Sequence, residues 1–244
     1  MEKIPITGII PARYGSTRFP GKALAEIKGK TMIRRVYEQA AKALDKVIIA
    51  TDDDRIASHA EAFAEVVMTR SDHQSGTDRC AEVIEKLQIL NGYVINIQGD
   101  EPFIHPEQIE DLKEVLQGTT EIATLIKETD IVEERNNPNV VKVVINNQHE
   151  ALYFSRHSIP YLRENKNQGN TVYYKHLGIY AYRVDVLARV AALRPGKLEM
   201  AESLEQLRWL ENGFRIKVVE TKYETVGIDT PEDLKRVLKN PLFT

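Results

Sequence analysis

Short apolar runs alternate with amphipathic stretches through the first half of the chain. Strand-like runs occupy residues 4–12, 46–51, 65–68 and 93–98. Helical spacing of apolar residues is found in residues 31–44, 53–63 and 78–90, and a further helix begins at Pro106. Because alternating strands and helices are joined by right-handed crossovers, this half predicts an α/β fold, with a mainly parallel sheet flanked by helices on both faces.

The pattern changes in the second half of the chain. Residues 140–145, 151–155 and 171–182 have strand-like patterns with only short helical patterns between them. We interpret residues 135–185 as a smaller antiparallel extension of the sheet that forms a lid or a dimer surface. The sequence contains no linker or repeat, so we predict one domain over residues 1–244.

The last part of the chain returns to helices and a strand. A helix is predicted over residues 199–210 and a strand over residues 214–222. A final helix follows, and its start carries three signals: an N-cap, a proline in the first position and a capping-box carboxylate, at Thr230, Pro231 and Asp233.

The composition limits the partners and the compartment. A formal net charge of −3 over 244 residues gives no general attraction to nucleic acid or to anionic membranes. No apolar run is long enough to span a bilayer. The single cysteine, Cys80, excludes an internal disulfide, so we expect a cytoplasmic protein. Its position in a predicted helix favours a buried packing role over a nucleophile.

The first strand runs into a loop, residues 13–22, that is rich in cations and glycine. A Walker loop would have four residues between Gly15 and the Gly21–Lys22 pair, whereas this chain has five. Ala23 also stands where that motif needs a Ser or Thr. The loop is therefore not a Walker motif.

The same loop nevertheless has the residues of a phosphate site. Ligands bind at the carboxyl ends of strands in open α/β sheets, where Arg13, Arg18 and Lys22 would lie. Gly15 and Gly21 would tolerate positive φ, which would permit successive backbone amides to form an anion-binding nest. The alternative is a solvated surface loop without a ligand.

Two aspartates follow strands in a way that suits a metal. Asp100, in "VINIQGDEP", lies just beyond a buried strand, and Asp229, in "VGIDTPEDL", precedes the last helix. Each could simply cap a turn or a helix. Together they would supply the one or two carboxylates that usually hold Mg²⁺ beside substrate phosphates. A phosphate loop facing such a pair is typical of attack on a nucleoside triphosphate.

Other stretches have less specific patterns. In "HLGIYAY", residues 176–182, strand alternation places His176, Tyr180 and Tyr182 on one face, as a substrate wall or an interface. In "RSDHQSGTDR", residues 70–79, we expect Thr77 to cap the following helix, and the loop could also read a base or ribose.

The helix predicted over residues 199–210 has an apolar stripe of Met200, Leu204 and Leu207. Helical periodicity places Gln206 away from that stripe, which by itself predicts exposure to solvent. The six histidines show no zinc-ligand spacing, so we expect no zinc site.

Seven segments in order along the chain resemble the 3-deoxy-manno-octulosonate (KDO) cytidylyltransferases, also called CMP-KDO synthetases: "PARYGSTRFPGKAL", "DHQSGTDR", "NIQGDEP", "ALYFSR", "HLGIYAY", "LEQLR" and "GIDTPEDL". The resemblance implies a nucleotidyltransferase fold and transfer of CMP from CTP to KDO, with Mg²⁺ and release of pyrophosphate. It also implies a cytoplasmic homodimer and a role in lipopolysaccharide biosynthesis in Gram-negative bacteria.

The resemblance assigns the nucleotide and the metal to three segments. The opening segment supplies Ala12 beside the base and the triphosphate residues Arg13, Ser16, Arg18 and Lys22. The next supplies Gln74, Ser75 and Arg79 for the cytidine and phosphates. Asp100 and Asp229 match the Mg²⁺ carboxylates, and Gln98 lies next to the reacting groups. Arg13 and Lys22 are expected to act with the two aspartates in catalysis.

The sugar pocket implied by the resemblance consists of Gln98, His176, Tyr180, Glu205 and Gln206, with Arg156 as a partner for the KDO carboxylate. For Gln206 this reverses the exposure that periodicity predicts, and we adopt the pocket assignment. Phe19 and Ala23 depart from the family pattern, as does "SIPYLRE", which leaves Arg163 without a role. Two alternatives remain: the same chemistry on a sialic acid, or a nucleotide-sugar sensor without activity.

Overall fold

The computed structural model describes residues 4–163 and 171–240. Within these residues the strands are β1 (Ile6–Ala12), β2 (Glu26–Ile27), β3 (Lys30–Thr31), β4 (Lys46–Thr51), β5 (Glu65–Met68), β6 (Tyr93–Asn96), β7 (Ile122–Glu128), β8 (Lys142–Ile145), β9 (Ala151–Ser155), β10 (Tyr174–Arg183) and β11 (Ile216–Glu220). The helices are α1 (Met32–Ala40), α2 (Asp54–Ala60), α3 (Gly76–Lys86), α4 (Pro106–Glu114), α5 (Val132–Asn136), α6 (Val184–Ala191), α7 (Lys197–Glu202), α8 (Gln206–Glu211) and α9 (Pro231–Lys239).

The main sheet has the strand order β11-β7-β10-β6-β1-β4-β5. Neighbouring strands are parallel except where β10 lies antiparallel between β6 and β7. The predicted α/β class, with a mainly parallel sheet flanked by helices, is confirmed. Parallel strands buried on both faces are nearly continuous in apolar residues, and all four residues of β6 are buried.

The antiparallel part of the sheet is a hairpin of β8 and β9 that pairs with the beginning of β10. The rest of β10 lies in the middle of the main sheet, so the predicted extension shares a strand with it. Residues 164–170 of that extension, and residues 1–3 and 241–244 of the predicted single domain, lie outside the described residues. The single-domain assignment stays a prediction.

The core has a layer on each face of the sheet. Alternate β1 residues enter opposite layers, Ile9 with α3 and α6 and Ile10 with α1 and α4. A third, smaller cluster, which we call the α9 cluster, consists of Ile27, Met32, Ile228 and Val237, with partly buried neighbours that include Phe19. It holds α9 against the segment that follows the opening loop.

Two helices differ from their predictions. Helix α3 is capped by Ser75, so the predicted cap at Thr77 is wrong, and Thr77 is buried in the first turn. The helix predicted over residues 199–210 is two helices, broken where Ser203 adopts a left-handed conformation with φ of 53°.

The break changes which side chains of this region are buried. Leu204 and Leu207 are buried as predicted, but Met200 is 66% exposed because it belongs to a different helix. Gln206 is only 5% exposed, so the solvent exposure that periodicity alone predicts, and that the pocket assignment reverses, is wrong. The helix periodicity restarts at the break, and the register of α7 does not carry into α8. No helix in the described part of the chain is both long and apolar enough to cross a membrane.

Candidate active site at the carboxyl edge of the sheet

The loops that follow the carboxyl ends of parallel strands enclose a cleft of about 330 Å³. The loops after β1 and β6, the loop before α3 and the residue before the α9 cap contribute to it. All eleven residues assigned to the nucleotide and the metal line it: Ala12, Arg13, Ser16, Arg18, Lys22, Gln74, Ser75, Arg79, Gln98, Asp100 and Asp229. The parallel topology therefore brings together segments that are far apart in the sequence.

The opening loop is organised around one carbonyl group. The amides of Ser16 and Gly21 both donate to the carbonyl oxygen of Tyr14, each at 2.9 Å. Gly21 has a φ of 70°, as expected, and a Cβ there would lie 3.1 Å from the Tyr14 ring. Gly15 does not have a positive φ, so only Gly21 uses the conformational freedom that a glycine allows.

Three amides of the opening loop are not available for the predicted nest. The amides of Ser16 and Gly21 are used within the loop, and so is the Lys22 amide, which donates to the carbonyl oxygen of Phe19 at 3.2 Å. An anion in this cleft would therefore depend less on these three amides and more on the side chains of Arg13, Arg18 and Lys22. The loop backbone serves to place these side chains.

The Asp100 and Asp229 carboxylates converge on one ammonium group. Lys22 Nζ lies 2.6 Å from Asp100 Oδ2 and 3.2 Å from Asp229 Oδ1. Arg18 Nη2 lies 3.0 Å from the same Asp229 oxygen. The two aspartates, 129 residues apart in the sequence (229 − 100), are therefore close enough to share a cation.

Local hydrogen bonds fix both aspartates. The Ile228 amide donates to the Asp100 carbonyl oxygen at 2.9 Å, which ties the loop after β6 to the segment before α9. The Asp229 amide donates to Asp233 Oδ2 at 3.2 Å, within the predicted capping box of α9, which is confirmed. Burial, and secondarily the charge of Asp100, raise the pKa of Glu101 to about 8. Glu101 is therefore mostly neutral at pH 7.

The N-terminus of α3 forms the opposite wall of the cleft. Ser75 Oγ accepts the Asp78 amide at 3.1 Å, while the Ser75 amide donates to Asp78 Oδ2 at 3.1 Å. A Cβ at Gly76 would lie 3.3 Å from both Asn96 and Pro11, so a glycine lets α3 approach the strands closely. The first turn of an eleven-residue helix thus borders the cleft with its amides at the positive end of the dipole.

Arg79 is a buried cation behind this wall. Its side chain donates to the Thr69 hydroxyl and, at 3.3 Å, to the Arg70 carbonyl oxygen, and it pairs with Asp52 at 3.3 Å. Because the residue is only 3% exposed, these contacts fix its position before any ligand binds. Cys80, the next residue, is fully buried, as predicted for a packing role.

Gln98 connects the cleft to β10. Its Nε2 donates to the Gly178 carbonyl oxygen at 2.9 Å, where the pairing of β10 with β7 shifts register. Since the amide nitrogen is oriented toward β10, the amide oxygen remains an acceptor for a ligand. The other residues assigned to the sugar pocket do not line the nucleotide cleft: His176, Tyr180, Glu205, Gln206 and Arg156.

His176 and Tyr180 share one face of β10, as predicted, with their ring centroids 5.2 Å apart. Thr124 Oγ1 donates its one proton to the Ile179 carbonyl oxygen at 2.7 Å. In its 2.9 Å contact with His176 Nε2, the threonine oxygen must therefore accept the hydrogen bond. The neutral imidazole therefore carries its proton on Nε2. Burial lowers the pKa of His176 to about 3, which keeps this form at neutral pH.

Helix α8 brings the other sugar-pocket residues to the same face. The Tyr180 ring packs edge-on against Trp209 of α8, with centroids 5.0 Å apart. Glu205 precedes this helix and accepts a hydrogen bond from Thr77 at 3.0 Å. Burial raises the pKa of Glu205. Gln206 is buried next to it.

Arg156 is occupied by the protein itself. Its Nε, Nη1 and Nη2 donate to the carbonyl oxygens of Glu202, Pro138 and Ser203 at 2.7, 3.0 and 3.2 Å. These contacts fasten the end of β9 to the turn between α7 and α8. To bind a ligand carboxylate, Arg156 would use its remaining N–H donors or replace some of these hydrogen bonds to carbonyl oxygens.

Sequence reasoning missed three residues that orient the site. Thr77 contacts Glu205, Thr124 fixes the His176 tautomer, and Tyr14 supports the opening loop. A threonine inside the apolar strand β7 was a usable signal for Thr124. The contact between Thr77 and Glu205 joins residues that are 128 positions apart, and no local pattern indicates it.

Known proteins share this sequence and this geometry. A sequence profile described as Cytidylyltransferase matches residues 7–219. The chain is 53% identical to a 3-deoxy-manno-octulosonate cytidylyltransferase of Cytophaga hutchinsonii, over 97% of each chain. It is 54% identical to one of Bacteroides thetaiotaomicron, over 96% of this chain and 98% of that one.

The comparison of structures agrees. A solved CMP:2-keto-3-deoxy-manno-octonic acid synthetase complexed with CTP is 44% identical, with a TM-score of 0.89 over 96% of this chain and 97% of that chain. A cytidylyltransferase of Leptospira borgpetersenii, 16% identical with a TM-score of 0.63, shares the fold. The chain belongs to the cytidylyltransferase family, among the 3-deoxy-manno-octulosonate cytidylyltransferases.

Proposed function

We propose that this protein transfers CMP from CTP to KDO and releases pyrophosphate, which makes it a KDO-activating nucleotidyltransferase of lipopolysaccharide biosynthesis. The observation that carries the proposal is the convergence of Arg18 and Lys22 with Asp100 and Asp229 in one cleft. Cations for a triphosphate and carboxylates for a metal are the parts that phosphoryl-group chemistry requires. Membership of the family supports the same substrates.

In this proposal the opening loop holds the triphosphate. Arg13, Arg18 and Lys22 bind phosphate oxygens and stabilise the negative charge that develops on the departing diphosphate. Ser16 adds a hydroxyl, and Ala12 lies beside the base. On the opposite wall, Gln74, Ser75 and the first turn of α3 bind the nucleotide, with Arg79 fixed behind them.

Asp100 and Asp229 are proposed to hold Mg²⁺. The donor set fits this ion, because two carboxylates that already share the Lys22 ammonium can share a hard cation. No group of three or more His, Cys, Asp or Glu side chains suited to a metal is found in residues 4–163 and 171–240, which fits a metal completed by substrate oxygens. When bound, Mg²⁺ would polarise the α-phosphate and lower the pKa of the attacking hydroxyl.

The acceptor sugar is proposed to lie between Gln98 and helix α8. The Gln98 amide oxygen accepts a hydrogen bond from a reacting or neighbouring hydroxyl. His176 is neutral and Tyr180 keeps its proton, because burial raises the pKa of its hydroxyl. These groups therefore bind and orient the sugar as uncharged donors or acceptors. Glu205, Gln206 and Arg156 complete the pocket.

The test is pyrophosphate release from CTP with Mg²⁺, with KDO present, absent or replaced by a sialic acid. Release that requires KDO is the expected result. Release with sialic acid alone would keep the chemistry and overturn the sugar. Tight CTP binding without release in any mixture would indicate a sensor instead of an enzyme.

We further propose a cytoplasmic homodimer. The large apolar side chains of Leu152, Tyr161 and Val172, in or beside the antiparallel part, are exposed, which suits a contact surface between two copies. The single buried cysteine fits a reducing compartment. Light scattering that shows only a monomer at micromolar concentration would contradict the dimer.

A further inference from the structure

Thr77 lies between the two substrate sides of the site and belongs to neither in the assignments above. It is the second residue of α3, next to Ser75 and Gly76 on the wall of the nucleotide cleft. Its side chain is turned into the protein, and the residue is 1% exposed. A hydroxyl in that position contacts a ligand only through another side chain.

The hydroxyl of Thr77 has a defined donor direction. It lies 3.0 Å from Glu205 Oε2 and 3.4 Å from the Tyr182 hydroxyl. Because a carboxylate only accepts, Thr77 donates its proton to Glu205, and in the longer contact Tyr182 donates to Thr77. A hydroxyl of the α3 wall therefore holds one carboxylate of the sugar side.

We propose that Thr77 is a positioning residue, which orients the Glu205 carboxylate so that it accepts hydroxyl groups of the sugar. This inference rests on the proposed function, in which Glu205 lies in the sugar pocket. It also fixes the position of the sugar pocket relative to the nucleotide, because Thr77 belongs to α3, the helix that borders the CTP cleft.

The chemistry of a carboxylate supports this role. A carboxylate has about four acceptor sites, so the one hydrogen bond from Thr77 leaves room for sugar hydroxyls. In its ionised form Glu205 would repel the carboxylate of an acidic sugar, which places the contact on the polyol end of the molecule. A hydrogen-bond acceptor that selects a ligand by the direction of its hydroxyls must be held rigidly. The hydrogen bond from the buried Thr77 hydroxyl holds the Glu205 carboxylate in this way.

The experiment compares Thr77→Val with Thr77→Ser and with Tyr182→Phe. Valine keeps the volume and removes the donor to Glu205, serine restores the donor, and phenylalanine removes only the hydroxyl that does not touch Glu205. The readouts are the KM for KDO, the KM for CTP, kcat and the melting temperature.

Thr77→Val should raise the KM for KDO by about ten- to a hundredfold, as expected for a lost hydrogen bond to a charged group. The KM for CTP should stay within about twofold, since the Ser75 cap is intact. Thr77→Ser and Tyr182→Phe should both resemble the unmodified protein. Thr77→Ala takes the place of the valine variant if the latter does not fold, with the same expected values.

Two results would overturn the inference. One is an unchanged KM for KDO in Thr77→Val. The other is a parallel rise of both KM values with a lower melting temperature, which indicates a purely structural residue. Absence of KDO-dependent pyrophosphate release in the unmodified protein would instead refute the proposed function, so the two failures are distinguishable.

Discussion

Asp100→Asn separates the chemistry of the site from the stability of the fold. The substitution keeps the size of the side chain and removes the charge that pairs with Lys22 Nζ at 2.6 Å. The Asp100 side chain is 29% exposed, so loss of this screened pair should cost about 1 kcal/mol of unfolding free energy. For a chain of this size that corresponds to a decrease in melting temperature of about 2–4 °C.

The effect on turnover should be much larger. Removing one preorganised electrostatic contact at a reacting centre typically costs about 3–4 kcal/mol of activation free energy. At about 1.36 kcal/mol per factor of ten, kcat should fall by about 150- to 900-fold. The Mg²⁺ concentration that gives half-maximal activity should also rise, because one of its two carboxylates is lost.

The assay is pyrophosphate release as a function of Mg²⁺, together with a thermal melt of the same samples. Asp130→Asn, at an exposed position outside the cleft, is the control for loss of one negative charge. Turnover within about tenfold of the unmodified protein would refute the metal assignment. A large loss of melting temperature would show that the carboxylate is mainly structural.

Three further predictions test the loop, the buried histidine and the cation pair. Gly21→Ala should destabilise the fold by about 1–2 kcal/mol and raise the KM for CTP, because a φ of 70° and the Tyr14 ring both oppose a Cβ; an unchanged urea midpoint would contradict the strain argument. The pKa of His176 is about 3 when folded against 6.5 as the ordinary value, so the unfolded chain takes up the proton first and stability falls as the pH drops below 6.5. Between pH 7 and 5 the loss should be about 2 kcal/mol larger in the unmodified protein than in His176→Gln, measured by urea unfolding, and equal losses would reject the buried neutral imidazole. Removal of divalent metal by EDTA should change the melting temperature by less than about 2 °C, because Lys22 and Arg18 already neutralise the carboxylates; a large decrease would mean that these pairs do not form.

Much of the scaffold is predictable because its signals are local. The β-branched composition of strand β4 predicts residues 46–51, which are its observed bounds. The three signals at Thr230, Pro231 and Asp233 predict the start of α9. The convergence of Lys22, Asp100 and Asp229 also follows from topology, since parallel strands place their carboxyl ends at one edge.

The predictions that fail depend on information that local sequence patterns do not contain. Met200 is exposed because the chain leaves the helix at Ser203, and periodicity assumes an unbroken helix. Gly15 and Gly21 are both glycines of the opening loop. Only Gly21 has a positive φ, and its amide donates to the Tyr14 carbonyl oxygen. The role of Thr77 depends on a residue brought to it by the tertiary fold.

The small size of the α9 cluster has a consequence for how the protein fails under stress. Asp229 belongs to a segment anchored mainly by Ile228 and Val237, apart from the two large layers of the core. Few buried contacts mean a low free energy of local opening, so this segment should detach at lower urea concentration than the sheet unfolds. The only tryptophan, Trp209, is buried in a large layer and reports on the sheet alone. Catalytic activity should therefore decline at urea concentrations where Trp209 fluorescence is still native, giving a population that is folded and inactive.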